Sequence, residues 1–157
     1  LRLSRGLGDV YKRQGIKIVT LENSSEVLKQ VTEKSSEMVM MQKFIDNVYS
    51  GDRRILLVNG NLPNSVVLRI PPEGDFRGNL AIGGTAKTEP LNARDIEIAN
   101  LVKDDLLKEG IYIAGLDIVG GFLTEINITC PTCFRELLDQ TEENLAKVLI
   151  DQLSDIF

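Results

Sequence analysis

The stretch that most limits what this chain can become is GLDIVGGFLTEINITCP, Gly115 to Pro131. Two strand-prone apolar runs, Ile111 to Val119 and Leu123 to Ile128, flank the pair Gly120 and Gly121, so the segment predicts an antiparallel hairpin. Side chains alternate along a strand, which puts Glu125 and Asn127 on one face and Ile126 and Ile128 on the other. The place of Asp117 depends on the turn. A two-residue Gly120–Gly121 turn sets it across from Thr124, whereas a three-residue turn through Phe122 with a bulge sets it across from Glu125. Opposed carboxylates repel unless a cation lies between them, and two carboxylates with an amide oxygen form a hard donor set of the kind Mg²⁺ takes together with substrate phosphates. The same residues need no ligand if they line the solvent face of an edge hairpin and pair with lysines, and spacing alone leaves both readings open.

With 157 residues, 43% of them hydrophobic, the chain can build one compact core, as one domain or a piece of a larger one. The excess of 23 acidic over 18 basic residues argues against a nucleic-acid surface, which needs a basic footprint. No apolar run approaches the length of a membrane span, so the expectation is a soluble protein without a membrane partner. Two cysteines are too few for a disulfide scaffold and suit a reducing cytoplasm. Residues 1–14, LRLSRGLGDVYKRQ, are basic, turn-prone and without periodicity, and they resemble a translated sequencing adapter. They are expected to be non-native, with the natural sequence beginning near Gly15, in mid-protein.

Along the rest, GIKIVTL reads as a short strand, and NSSEVLKQVTEKSS as a helix with Asn23 and Glu26 in capping-box spacing and Val27, Leu28 and Val31 on one face. Asn59-Gly60 between RRILLV and SVVLRI predicts a hairpin. Pro71 to Ala86 reads as a long functional loop, a candidate lid. A helix capped by Asn92 should bury Ile96, Ala99, Val102 and Leu106 and stop at Gly110. Two C-terminal helices follow, the second capped by Thr141 and facing the core with Leu145, Val148, Leu149 and Leu153. Helices and antiparallel strands segregate, which is the α+β class: one mainly antiparallel sheet with helices packed on it. Taken alone, Arg53 and Arg54 are a solvated strand start and Arg69 a residue on a wet face. CPTC, Cys130 to Cys133, cannot fill a four-ligand zinc site in a chain without histidine, although a redox pair at a helix start stays open.

QKFI, GDRRILLVNG, LRIPPEGDFRGNLAIGG and GIYIAGLDIVGGFLTEINITCPTCFRE, in this order and spacing, closely resemble the C-terminal part of bacterial-type glutathione synthetase, an ATP-grasp carboxylate-amine ligase. The resemblance runs from about Gly15 to the C-terminal helix, so 15–157 is expected to be a partial ATP-grasp domain, truncated at its N-terminus. It implies ATP-dependent joining of glycine to γ-glutamylcysteine through an acylphosphate, and a homo-oligomeric parent. By position, Asp117, Glu125 and Asn127 match ligands of Mg²⁺ (or Mn²⁺) under the ATP phosphates, and Gln42, Lys43, Phe44 and Ile45 match the hinge that holds adenine, with Asp52 near the nucleotide. Arg54, Arg69 and Arg77 match arginines around the transferring phosphoryl group, while Arg69, Asn79 and Arg135 match contacts to the peptide or glycine. Guanidinium forks suit that task, since they bind phosphate and carboxylate oxygens and stabilise developing charge. The resemblance also implies that most of the family's glycine-rich phosphate loop and two nucleotide-binding lysines precede Gly15, so the chain alone is expected to be inactive. Another ATP-grasp ligase, or a nucleotide-binding module without catalysis, are the alternatives.

Overall fold

The computed structural model describes residues 2–4, 17–32, 38–73 and 83–154. The chain divides into two compact units, Leu1–Asp46 and Asn47–Phe157.

In the first unit, strands β1 (Arg2–Ser4), β2 (Lys17–Ile18) and β3 (Met40–Gln42) form an antiparallel sheet in the order β2-β1-β3. Helix α1 (Ser24–Val31) follows β2, and its Val27 and Val31 pack with Val19 and Val39. The expected capping box does not form: Asn23 turns its Oδ1 to the Thr20 amide at 2.8 Å, which leaves it unavailable to the helix. Leu28 is exposed, so the apolar stripe of α1 is narrower than its sequence suggests.

A 3₁₀ turn, Asp46–Ser50, leads into the second unit, which is built on β4 (Asp52–Val58), β5 (Ser65–Ile70), β6 (Thr85–Pro90), β7 (Ile113–Val119) and β8 (Phe122–Asn127). These pair antiparallel in the order β6-β5-β4-β7-β8. Because side chains alternate, the central strands bury both faces. Ile55, Leu57, Val66, Leu116 and Ile118 meet Ile98 and Ala99 of α2 (Ala93–Lys108), while Leu56, Val58 and Val67 meet Leu137 of α3 (Phe134–Thr141) and Leu145 of α4 (Leu145–Ser154). Each such fully buried aliphatic side chain is worth roughly 1.5–3 kcal/mol of transfer free energy. The result is the expected α+β arrangement.

Helix α2 starts at Asn92, whose side chain accepts from the Asp95 amide while Asp95 accepts from the Asn92 amide. It ends in a Schellman turn, Ile111 N to Leu106 O and Gly110 N to Leu107 O, with Gly110 at φ 74. Its buried stripe is Asp95, Ile98 and Ala99 with Val102 and Leu106, and Ile96 is exposed, a correction of one helical position to the expected face. Asn59-Gly60 does make a tight turn, with Val58 and Asn61 bridged and both central residues at positive φ, but the chain runs on through Pro63 before β5 begins. Part of the expected loop is strand: Thr85 and Ala86 open β6, whose backbone pairs with β5 despite a polar sequence. Thr141 is the last residue of α3 and bonds back to Leu137 O, and α4 is capped by Asn144, which accepts from the Lys147 amide at 2.9 Å. Leu145 and Leu149 pack inward and Val148 is exposed, while the Leu153 side chain lies outside the described residues. Among the described residues no helix is long and apolar enough to cross a membrane.

Candidate functional site

Strand register gathers the site. Asp52 pairs with Arg69, Arg54 with Asp117, Asp117 with Glu125 and Gly115 with Asn127. Directly paired residues of antiparallel strands share a face, as do residues two apart. Asp52, Arg54, Arg69, Asp117, Glu125 and Asn127 therefore lie on one face of the sheet, the face that α3 and α4 cover further along.

The hairpin combines the two registers read from the sequence. Its turn has two residues, Gly120 and Gly121 at φ 56 and 78, with Val119 opposite Phe122 and Ile118 opposite Leu123. The extra residue is then taken up inside β8, as a bulge at Thr124, and this sets Glu125 across from Asp117.

Asp117 is wholly buried, with Arg54 and Arg69 almost so. Both Asp117 oxygens receive the Arg54 fork: Nε donates to Oδ1, and Nη2 to Oδ2 at 2.9 Å. Arg69 Nη2 adds an ion pair to Oδ2 at 2.6 Å, and Arg69 Nε donates to Asp52 Oδ1 at 2.5 Å. Burial opposes the Arg69 charge, but Asp117 and Asp52 outweigh it and raise its pKa above the ordinary arginine value. The solvated settings open to Arg54, Arg69 and Asp117 from spacing are thus corrected: the acid is met by guanidinium groups in the interior, because its cross-strand neighbour is an arginine.

Gly115 makes this packing possible. A Cβ there would stand 3.1 Å from Arg54 Cδ and Nη1 and 3.0 Å from Pro131 Cβ, so any larger residue would crowd Arg54 where it lies across the strand. Arg54 Nη1 is buried and has no hydrogen-bond partner among the described residues. Asn127 accepts from the amides of Thr129 and Cys130 at 3.2 Å, fixing the chain as it leaves β8. Among the described residues no three His, Cys, Asp or Glu side chains gather as a metal cluster, and the expected donor set is two carboxylates and an amide.

Arg53 points to the other face and belongs to a different network. Its fork meets Asp95 at 2.7–3.2 Å, and Nη1 meets Glu89 at 2.6 Å. Its pKa is raised, burial working against the charge and Asp95 and Glu89 prevailing. This partner set has no local sequence signal, because Asp95 lies 42 residues away.

Within the second unit, Arg135 is not part of the buried cluster: it is exposed on α3 and faces Asp139 at 3.5 Å. In the first unit Gln42 ends β3, Lys43 is exposed, and Phe44 and Ile45 are half-buried. Arg77 and Asn79 lie outside the described residues. Both cysteines are free thiols, Cys130 exposed and Cys133 buried.

Comparison with known proteins identifies the chain's relatives. Residues 9–142 match the prokaryotic glutathione synthetase ATP-grasp domain, a match that takes in part of the basic N-terminal segment. The chain is 42% identical over 134 residues to a glutathione synthetase of Nitrosomonas europaea, covering 85% of this chain and 42% of that protein. Glutathione synthetases of Xanthomonas campestris, 40% identical over 131 residues, and Pseudomonas aeruginosa, 38% over 132, cover 83% and 84% of this chain and each match over 42% of their own length. The chain thus spans about two fifths of these relatives, and it belongs to the prokaryotic glutathione synthetase ATP-grasp family.

Proposed function

We propose that the chain supplies the phosphate and metal face of an enzyme that joins glycine to γ-glutamylcysteine, with ATP and Mg²⁺ (or Mn²⁺), through an acylphosphate to give glutathione, ADP and phosphate. The observation that carries this reading is the ionic face of the five-stranded sheet, in a chain of this family. Asp52 and Asp117 hold Arg54 and Arg69 in place without any ligand, so the guanidinium dipoles need no reorganisation when phosphate charge develops. Arg54 Nη1 is the donor this reading assigns to a phosphate or carboxylate oxygen.

Two carboxylates and an amide oxygen on one face are hard donors, and Asp117, Glu125 and Asn127 would hold a divalent cation. Asp117 would then be shared between the ion and the Arg54 and Arg69 guanidinium groups, and Asn127 Oδ1 released from the Thr129 and Cys130 amides. When bound, the ion would neutralise charge on the transferring phosphate. Gln42, Lys43, Phe44 and Ile45 take the adenine in the same reading, with Asp52 near the nucleotide. In the same reading Arg77 serves the transferring phosphoryl group with Arg54 and Arg69, and Arg69, Asn79 and Arg135 bind the peptide or glycine.

The test is ADP release by a full-length protein carrying this sequence. Release should require both γ-glutamylcysteine and glycine, and Arg54→Lys, which keeps the charge and loses the fork, should lower kcat about a hundredfold. ADP release indifferent to either co-substrate would overturn the assignment.

A further inference from the structure

We propose that Thr124 is a positioning residue, whose hydroxyl fixes the β8 bulge and so aims Glu125 at Asp117; this rests on the metal reading above. The turn cannot absorb an additional residue. Both its glycines are left-handed, Asn47 packs against Gly120 so closely that a Cβ there would stand 2.9 Å from Asn47 Oδ1, and Arg94 Nε donates to Gly121 O at 2.9 Å. On the turn side of the bulge, Leu123 is bound to the α2 core and Ile118 is its partner. Beyond it, Ile126 pairs with Leu116 and Asn127 with Gly115. The odd residue must therefore be taken up between Leu123 and Glu125, and it is Thr124.

In a regular hairpin Thr124 would face Asp117 and Glu125 would face Leu116, turning the carboxylate toward the apolar side of the sheet. Instead the Thr124 hydroxyl donates to the Asp117 carbonyl at 3.0 Å. The bond ties the bulged residue to the backbone of the acid that its neighbour Glu125 must oppose. Bulges beside active sites characteristically re-aim a side chain in this way.

The test uses the whole chain, ¹⁵N-labelled and titrated with Mn²⁺ alone, reading paramagnetic broadening and amide exchange in β8. Wild type and Thr124→Ser should broaden at Glu125 and Asn127 with the same midpoint. Thr124→Val should need about tenfold more Mn²⁺ and exchange its Glu125 amide faster, as expected for one lost hydrogen bond. Thr124→Ala, without the branched volume, repeats the comparison if the valine variant does not fold. A wild-type midpoint and wild-type exchange in the hydroxyl-free variants overturn the proposal. Absence of broadening at the wild-type hairpin overturns the metal reading instead, and the exchange rates then decide alone whether the hydroxyl holds the bulge.

Discussion

Arg69 bridges to Asp117, Nη2 to Oδ2 at 2.6 Å, although the two residues lie on strands that are not neighbours. The contact passes over β4, where Arg54 and Asp52 complete the cluster. Two acids and two bases buried together balance in charge, so removing one member exposes the others. Asp117→Ala leaves two guanidinium groups without their shared acceptor and should destabilise the unit by about 3–5 kcal/mol. Urea unfolding measures it, and a loss under about 1 kcal/mol, as for an exposed pair, would contradict the interior role.

Gly115→Ala tests the room left for Arg54. The new Cβ meets Pro131 and Arg54 at 3.0–3.1 Å, tighter than ordinary contact, and the guanidinium is fastened to Asp117 and cannot swing aside cheaply. Overpacking of this kind costs about 1–3 kcal/mol. The variant should lose stability in urea and, in a full-length protein, lose kcat beyond what the stability change explains.

Asp95 serves two ends at once, capping α2 at Asn92 and holding the Arg53 fork. A double-mutant cycle on Arg53→Ala and Asp95→Ala should return a coupling of about 1–3 kcal/mol, because the acid is buried and the arginine mostly so. Asp95→Ala alone should cost more than Arg53→Ala, since only the acid also carries the cap.

The parts of the fold legible in the sequence are those set by local rules. Asn92 and Gly110 bracket α2 because capping and the left-handed stop are chemistry of neighbouring residues. The alternation in β8 put Glu125 and Asn127 together, but the place of Asp117 needed the bulge, which depends on Asn47, Arg94 and the core around Leu123. Burial of Arg54 and Arg69 was likewise not local, since it follows from which strands lie side by side. β6 carries no strand signal of its own because TAKTEP has little apolar pattern, and its edge is held from outside by Gln140, which accepts from the Thr88 amide and donates to Ala86 O. A glycine inside a strand is itself a signal of close approach, and at Gly115 the approaching group is Arg54.

Cys133 gives a pH-dependent prediction. Burial pushes its thiol pKa up, and the nearby charges of Arg69 and Arg54 offset only part of that. A folded pKa above the unfolded one means the native state holds its proton longer. The contribution to stability is then complete below the ordinary thiol value of about 8.5 and is lost as pH rises through the folded value, with a limiting slope of about 1.4 kcal/mol per pH unit. Cys133→Ala should be less stable at neutral pH, through lost packing against Leu56, Val67 and Leu137, yet should lose less stability than wild type on going to alkaline pH. A thiol reagent gives the independent check: Cys130 should react at once in the native protein, and Cys133 only at the rate of unfolding. Equal alkaline slopes in the two proteins, or two fast thiols in the native state, would place Cys133 outside the core.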